Sequence, residues 1–291
     1  ACNSNVNNPR EVKRYTHIIG LSVNGMLSVL QKTLVKAPLI TLQLRNKMSG
    51  CCPATAWGDL KNPNYKEKGT VEKVDDLEIY HVGSGSKCII WNYDIFGFQG
   101  GRTRQMCDFM ADAGYLVIMP DYYRGEMCDP SKEGDRVVKF LQDKTKWSEL
   151  QVDWEKRVKP LAEKLGAKTY GTVGCCWGSY MVMRLCAQVC FKAGISFHPS
   201  HSPIIGMINE NEEDILKDVK SPQMFMPAQG DHPNLWPDGL GKKVMGDQLS
   251  IVPFPDMQHG WTIRGGLDDP KVQRDVEKAF NLSLTFFNRY L

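Results

Sequence analysis

The sequence predicts an α/β fold built on a mostly parallel central sheet with helices on both faces. From about residue 69 two patterns alternate: short continuous apolar runs of strand length, and stretches with apolar residues three and four apart. Gly and Pro punctuate the joins. Alternation of this kind implies parallel strands linked by right-handed crossovers. With 291 residues, of which 42% are hydrophobic and 24% charged, the chain can bury a substantial core. No repeat, low-complexity tract or linker divides the body, so residues 48–291 read as one domain.

The elements follow in order. "KCIIWNYDIFG" (87–97) is an apolar run ending in Gly, as a buried strand would. "GRTRQMCDFMADAG" (101–114) then carries Met106, Phe109, Met110 and Ala113 at helical spacing, and "YLVIMPD" (115–121) is a second buried strand. Helical patterns follow at 135–144 and 153–165, the second ended by Gly166. "KTYGTVGCCWG" (168–178) reads as strand and turn, and "SYMVMRLCAQV" (179–189) as helix. Three more strands are expected at 191–199, 222–231 and 248–255, with an acidic helical piece at 210–219. An amphipathic helix over 272–291 closes the chain, with Val276, Phe280, Leu284 and Phe287 on one face.

Residues 1–47 are set apart by charge. They hold seven bases and one acid, which leaves the remainder at −3 within a chain of net charge +3. The body is therefore not a nucleic-acid-binding surface by charge. "YTHIIGLSVNGMLSVL" is interrupted by polar residues and falls short of the roughly 20 apolar residues that span a bilayer, so no stable membrane insertion is expected. Two readings stand side by side for this segment: a mitochondrial presequence, from its basic, acid-poor, Ser-containing composition, or an extension upstream of a natural start at Met48.

The ten cysteines fall largely in apolar strand-like and helix-like runs (Cys88, Cys107, Cys186, Cys190). Buried reduced thiols and a cytoplasmic protein are expected, or a mitochondrial one if the first 47 residues act as a presequence. No CxxC pair suggests a zinc knuckle, and neither a metal nor a cofactor is expected.

Gly174-Cys175-Cys176-Trp177-Gly178 fits G-x-C-x-G, the thiol form of a nucleophile elbow. Such an elbow is a strained strand-to-helix turn with no room for Cβ atoms two positions either side of the nucleophile. Cys176 would then project at the carboxyl edge of the sheet, while Cys175 points into the packing. Two buried small residues beside packing glycines would produce the same pentapeptide. Context favours the elbow, because an α/β-hydrolase needs the order nucleophile, acid, base. "PAQGD" ends a predicted strand at Asp231, and "PDMQHGW" ends the next at His259. Asp231 would orient His259, which would take the Cys176 proton. His232 is placed to point away, His198 and His201 to line a pocket, and Asp256 to occupy a turn.

In these motifs the chain resembles the dienelactone hydrolase family, the carboxymethylenebutenolidase-like branch of the α/β-hydrolases, in its eukaryotic form. The similarity runs from about Cys51 to Leu291. It rests on "YDIFGFQGGRTRQMCDFMADAGYLVIMPDYYRG", "GTVGCCWGSY", "PQMFMPAQGDHP" and "HGWTIRG" in that order, with an opening "CCPATAWGDLKNPNYKEKGTVEKVDDLEIYHVGSG" of eukaryotic type. The resemblance implies an α/β-hydrolase fold with Cys176 as nucleophile, His259 as base and Asp231 as orienting acid. It further implies an oxyanion hole from the N–H groups of Ile95 and Trp177. Asp94 stands where the family usually has Glu, an acid that contacts the resting thiol and gates its activation; here it is one methylene shorter. Bacterial members bind a substrate carboxylate with arginines, and Arg124 and Arg264 lie near those positions, slightly out of register. Tyr123 and Trp261, with Tyr93, Phe98, Tyr122, Trp177 and Trp236, are aromatic candidates for an apolar substrate pocket.

The expected activity is hydrolysis of lactones or small activated esters by a carboxylesterase-type monomer or weak homodimer, through a thioester acyl-enzyme. A non-catalytic scaffold for ligand or protein binding would instead have a broken triad. A redox or metal protein built on Cys51-Cys52 and Cys175-Cys176 would need adjacent cysteines to bridge under strain.

Overall fold

The computed structural model describes residues 52, 53, 55–58, 60, 65–128 and 135–291. The presequence reading of residues 1–47 and the start at Met48 lie outside the described residues.

A hairpin absent from the sequence reading opens the fold: β1 (Thr70–Val74) and β2 (Leu77–Val82) pair antiparallel. The predicted alternation follows as β3 (Lys87–Asn92), α1 (Thr103–Asp112), β4 (Leu116–Pro120), α2 (Asp135–Lys144), α3 (Trp147–Asp153), a π-turn (Trp154–Val158), α4 (Lys159–Lys164), β5 (Thr169–Cys175), α5 (Gly178–Cys186) and β6 (Phe191–Phe197). The chain ends with α6 (His201–Met207), α7 (Glu212–Asp218), β7 (Gln223–Met226), β8 (Ala228–Gln229), α8 (Leu240–Met245), β9 (Leu249–Ile251), β10 (Phe254–Gln258), α9 (Trp261–Arg264) and α10 (Pro270–Tyr290). The main sheet has eight strands in the order β1-β2-β4-β3-β5-β6-β7-β9. It is antiparallel at β1/β2 and β2/β4 and parallel from β4 onward.

Two glycines report that helices cover both faces. A Cβ on Gly171 would meet Phe287 of α10, whereas one on Gly194 would meet Val182 of α5. The parallel register pairs Gly194 with Thr172, so Gly171 and Gly194 point to opposite faces. Cys175, four residues after Gly171, shares the face of α10. That helix buries Val276, Phe280 and Phe287 as expected, but Ser283 takes the buried position and leaves Leu284 half-exposed. The Ser283 hydroxyl donates to the Ala279 carbonyl at 2.7 Å, which makes its burial tolerable.

Prolines account for three departures from the sequence reading. Pro160 supplies no N–H to the ladder of the expected 153–165 helix, and the chain makes a π-turn just before it, with Lys159 N–H donating to Trp154 O. Pro227 stops the expected strand over 222–231, and Pro253 the one over 248–255, because neither can donate to a sheet. The second halves of both, β8 and β10, leave the main sheet and form a separate parallel pair, Phe254 opposite Ala228 and Gln258 opposite Gln229. Asp231 and His259 follow these two short strands.

Candidate active site

β5 delivers its last residue, Cys175, into the sheet, and the chain turns sharply before α5. Cys176 sits at that turn with φ = 51°, the left-handed region that costs a side-chain-bearing residue roughly 1–2 kcal/mol. Closing the turn leaves no space on either side. A Cβ on Gly174 would lie 2.3 Å from the Gly178 carbonyl oxygen, and one on Gly178 would lie 2.2 Å from the Asn92 carbonyl oxygen. The strained geometry is held by hydrogen bonds from Cys176 N–H to Phe197 O (3.2 Å) and from Ser179 N–H and Ser200 N–H to Cys176 O (3.1 and 3.2 Å).

His259 Nδ1 lies 2.6 Å from Asp231 Oδ1, and the other Asp231 oxygen accepts from Ala228 N–H at 2.8 Å. A ring nitrogen of His259 and Cys176 Sγ lie within 4.8 Å of each other. The predicted trio therefore meets in one place, with Cys176 and His259 fully buried. Burial alone would push the Cys176 thiol up, but Cys52, His259 and Ser200 bring it well below its ordinary value. For His259 burial opposes the charged ring, while Asp231 and Cys176 hold it well above the usual histidine range. Both directions favour a thiolate–imidazolium pair.

Neighbouring histidines are kept neutral. Burial, reinforced by His259, lowers His198 well below the ordinary value; its ring lies 4.9 Å from that of His259, and its Nε2 is 2.6 Å from Thr262 Oγ1. His201 packs on Phe225 and is pushed down to about 3, first by burial and then by His232. His232 itself is exposed, its Nδ1 accepting from Asn234 N–H at 3.3 Å. Asp256 is exposed on β10 rather than in a turn.

Among the described residues, the N–H groups of Ile95 and Trp177 donate to no other acceptor. Trp177 immediately precedes α5, where the first N–H groups of a helix have no intrahelical partner. Ile95 lies in a turn closed by Gly97 N–H to Asp94 O at 3.0 Å.

Asp94 and Arg264 occupy an arrangement that the sequence does not reveal. Their side chains form an ion pair with no exposure on either side. Asp94 Oδ1 also accepts from Phe96 N–H at 3.0 Å, and the Arg264 guanidinium lies 4.5 Å over the Phe96 ring and donates from Nε to Trp57 O at 2.9 Å. Arg124 instead forks onto Asp153 at 2.7 and 2.8 Å and reaches Asp76 at 3.1 Å. Tyr123 packs 4.7 Å from Trp177 and 5.0 Å from Tyr93, in a buried aromatic cluster that braces the residue after Cys176. Trp261 packs on Phe254 at 4.6 Å, and its carbonyl accepts from Arg102.

Two neighbours of the thiol escaped the sequence reading. Ser200 Oγ is 3.4 Å from Cys176 Sγ and 3.5 Å from His259 Nε2, and Cys52 Sγ is 3.5 Å from Cys176 Sγ. Cys52 belongs to a short segment laid over the site, pinned by Trp57 N–H to His259 O at 2.9 Å. "HPSHS" and the early Cys-Cys pair were the available signals, but neither indicates which partner it meets. A cleft of about 560 Å³ bordered by Phe96, Phe98, Arg104 and Met127 opens beside the Ile95 turn, and another is bordered by Asp231 and Trp236; Cys176 borders neither.

Comparison with protein families matches residues 79–291 to the model described as the dienelactone hydrolase family. The chain belongs to the dienelactone hydrolase family. Ester and lactone hydrolysis is the chemistry of this family, and the chain is a carboxylic ester/lactone hydrolase. The carboxymethylenebutenolidase homolog of Xenopus tropicalis is 27% identical over 239 residues, covering 78% of this chain and 93% of that one. Hydrolase tropI of Talaromyces stipitatus is 27% identical over 243 residues, 77% of this chain and 91% of that one. In structure, a putative dienelactone hydrolase from Klebsiella pneumoniae aligns with a TM-score of 0.55 at 19% identity, covering 74% of this chain and 93% of that one. That likeness establishes the α/β-hydrolase fold. No helix among the described residues is long and apolar enough to cross a membrane.

Proposed function

We propose that this family member cleaves small neutral lactones and activated esters through a thioester acyl-enzyme on Cys176. The observation that carries the reading is the convergence of Asp231, His259 and Cys176 at the left-handed turn, with His259 Nδ1 2.6 Å from Asp231 and a ring nitrogen within 4.8 Å of Cys176 Sγ. The thiolate sulfur adds to the substrate carbonyl carbon, and the N–H groups of Ile95 and Trp177 receive the oxyanion. As the oxyanion collapses, the C–O bond to the leaving group breaks and the His259 imidazolium gives its proton to the departing alkoxide. A water molecule then attacks the thioester, His259 takes its proton, and the acid product leaves with the thiolate restored. Enol lactones suit this site, because their enolate leaving group competes well with the thiolate for expulsion.

The commitments of Arg124 to Asp153 and of Arg264 to Asp94 argue against an anionic substrate, which would have to displace a carboxylate already in place. Asp94 is assigned a positioning role on the Ile95 turn, acting through Arg264 and Phe96 N–H. Six described cysteines (Cys88, Cys107, Cys175, Cys176, Cys186 and Cys190) are free thiols, which suits a reducing compartment such as the cytoplasm.

The test is hydrolysis of a dienelactone, neutral lactones and p-nitrophenyl acetate by the wild type, Cys176→Ala and Cys175→Ala. Loss of turnover in the first variant and its retention in the second is expected. Full activity in Cys176→Ala, or no turnover of any ester by the wild type, would overturn the reading in favour of a binding scaffold.

A further inference from the structure

Sulfur and nitrogen donors from three distant parts of the chain converge on one point. Ligand atoms of Cys52, Cys176 and His259 all lie within 4.8 Å of one another, and all three residues are buried. In a tetrahedral zinc site, Zn–S bonds of about 2.3 Å set two sulfurs roughly 3.8 Å apart. The 3.5 Å between Cys52 Sγ and Cys176 Sγ differs from that edge by only a few tenths of an ångström. A disulfide, by contrast, needs about 2.0 Å between the sulfurs.

The surroundings of His259 fit the same purpose. Its Nδ1 is held 2.6 Å from the Asp231 carboxylate, the arrangement that orients a metal-binding imidazole and raises its basicity. Two thiolates and a neutral imidazole carry two negative charges, which a divalent cation balances in a buried site. Ser200 Oγ, 3.4 Å from Cys176 Sγ and 3.5 Å from His259 Nε2, adds a hydroxyl oxygen beside the cluster.

We propose that Cys52, Cys176 and His259 form an inhibitory site for a thiophilic d10 cation, Zn²⁺ in the first place. On binding, two Zn–S bonds and one Zn–N bond form, the Cys52 thiol and the His259 imidazolium each release a proton, and no electron is transferred. The coordination stands without the hydrolase mechanism. The inhibition rests on that mechanism, because the ion occupies both the Cys176 lone pair that attacks and the His259 nitrogen that moves the proton. Removal of the ion by a chelator restores both groups.

The experiment titrates the full chain, reduced with a phosphine, with Co²⁺ as a spectroscopic stand-in and with Zn²⁺ against a chromophoric chelator, while p-nitrophenyl acetate hydrolysis is followed in parallel. Expected are one ion per chain, a thiolate-to-cobalt charge-transfer band, and loss of turnover that tracks zinc occupancy and reverses with chelation. Asp231→Asn is expected to weaken zinc binding by about 10–100-fold. Cys52→Ser, or Cys52→Ala if the first does not fold, weakens it further and halves the charge-transfer intensity, while Cys175→Ser leaves both unchanged. A band and affinity that survive both Cys52 variants overturn the proposal, as does an active wild type with no band. A chain that binds cobalt through two thiolates yet hydrolyses no ester upholds the metal site and sinks the hydrolase mechanism instead.

Discussion

The Asp94 carboxylate and the Arg264 guanidinium are ion-paired where neither side chain reaches solvent. Arg264 also donates to the backbone of Trp57, so one cation ties the Ile95 turn, the segment carrying Cys52 and helix α9 after His259 together. Removing one partner of such a pair leaves the other charged and uncompensated, at a cost of about 3–5 kcal/mol. Arg264→Met is expected to lower stability by that order in urea unfolding. Asp94→Asn with Arg264→Met is expected to be less damaging than the sum of the single changes, because the double variant buries no lone charge. Additive losses would show that the two side chains are not coupled.

The opposite shifts of Cys176 and His259 predict a pH profile and set its direction. Cys176 lies well below its ordinary value and His259 well above its own. The pair is therefore charged between the two, and reactivity should appear at a pH well under the roughly 8.5 of a free thiol. Inactivation by iodoacetamide, with Cys176→Ala as the background, reads this limb directly. Asp231→Asn withdraws the carboxylate that keeps the ring charged, so the midpoint should move upward and turnover should fall by about 10²–10⁴-fold. A wild-type midpoint at the free-thiol value would remove the ion pair from the resting enzyme.

The elbow was legible because everything it requires is local: a strand, two glycines and a helix within a dozen residues. The order Cys176, Asp231, His259 was legible as well, and these side chains do meet. Less visible was how the last two are carried there, since Pro227 and Pro253 divide what read as continuous strands and send β8 and β10 into a sheet of their own. Arg264, between an apolar residue and two glycines, read as a candidate substrate anchor; its partner sits far up the chain on the Asp94 turn. Contact between Cys52 and Cys176 spans 124 residues, and no periodicity encodes it.

The glycines of the elbow offer a steric test with an internal control. Gly174→Ala and Gly178→Ala place a Cβ within 2.3 Å and 2.2 Å of backbone carbonyl oxygens that cannot move without opening the β5–α5 turn or β3. Both should lose turnover, together with several kcal/mol of stability or soluble expression. Gly206, exposed near the end of α6, has nothing among the described residues within 4 Å of its added Cβ. Gly206→Ala should therefore raise stability by up to about 1 kcal/mol, the helix-propensity difference, and leave activity alone. Equal tolerance at all three positions, measured by urea unfolding and p-nitrophenyl acetate turnover, would contradict the close packing at the turn.

His201 gives the fold an acid limit that is separate from the active site. It is fully buried against Phe225, neither ring nitrogen has a hydrogen-bond partner among the described residues, and burial followed by His232 lowers it to about 3. In the unfolded chain the same group protonates near 6.5. Between these values the unfolded state binds the extra proton, so the stability associated with the neutral ring is complete above about 6.5 and is lost as pH falls toward 3. Each pH unit across that window costs on the order of 1.4 kcal/mol for one such group. His201→Leu keeps an apolar side chain against Phe225 and removes the proton site, so its urea midpoint should fall less between pH 7.5 and pH 5 than that of the wild type. Parallel losses in the two proteins would assign the acid sensitivity elsewhere, to His198 first, which burial and His259 also hold neutral.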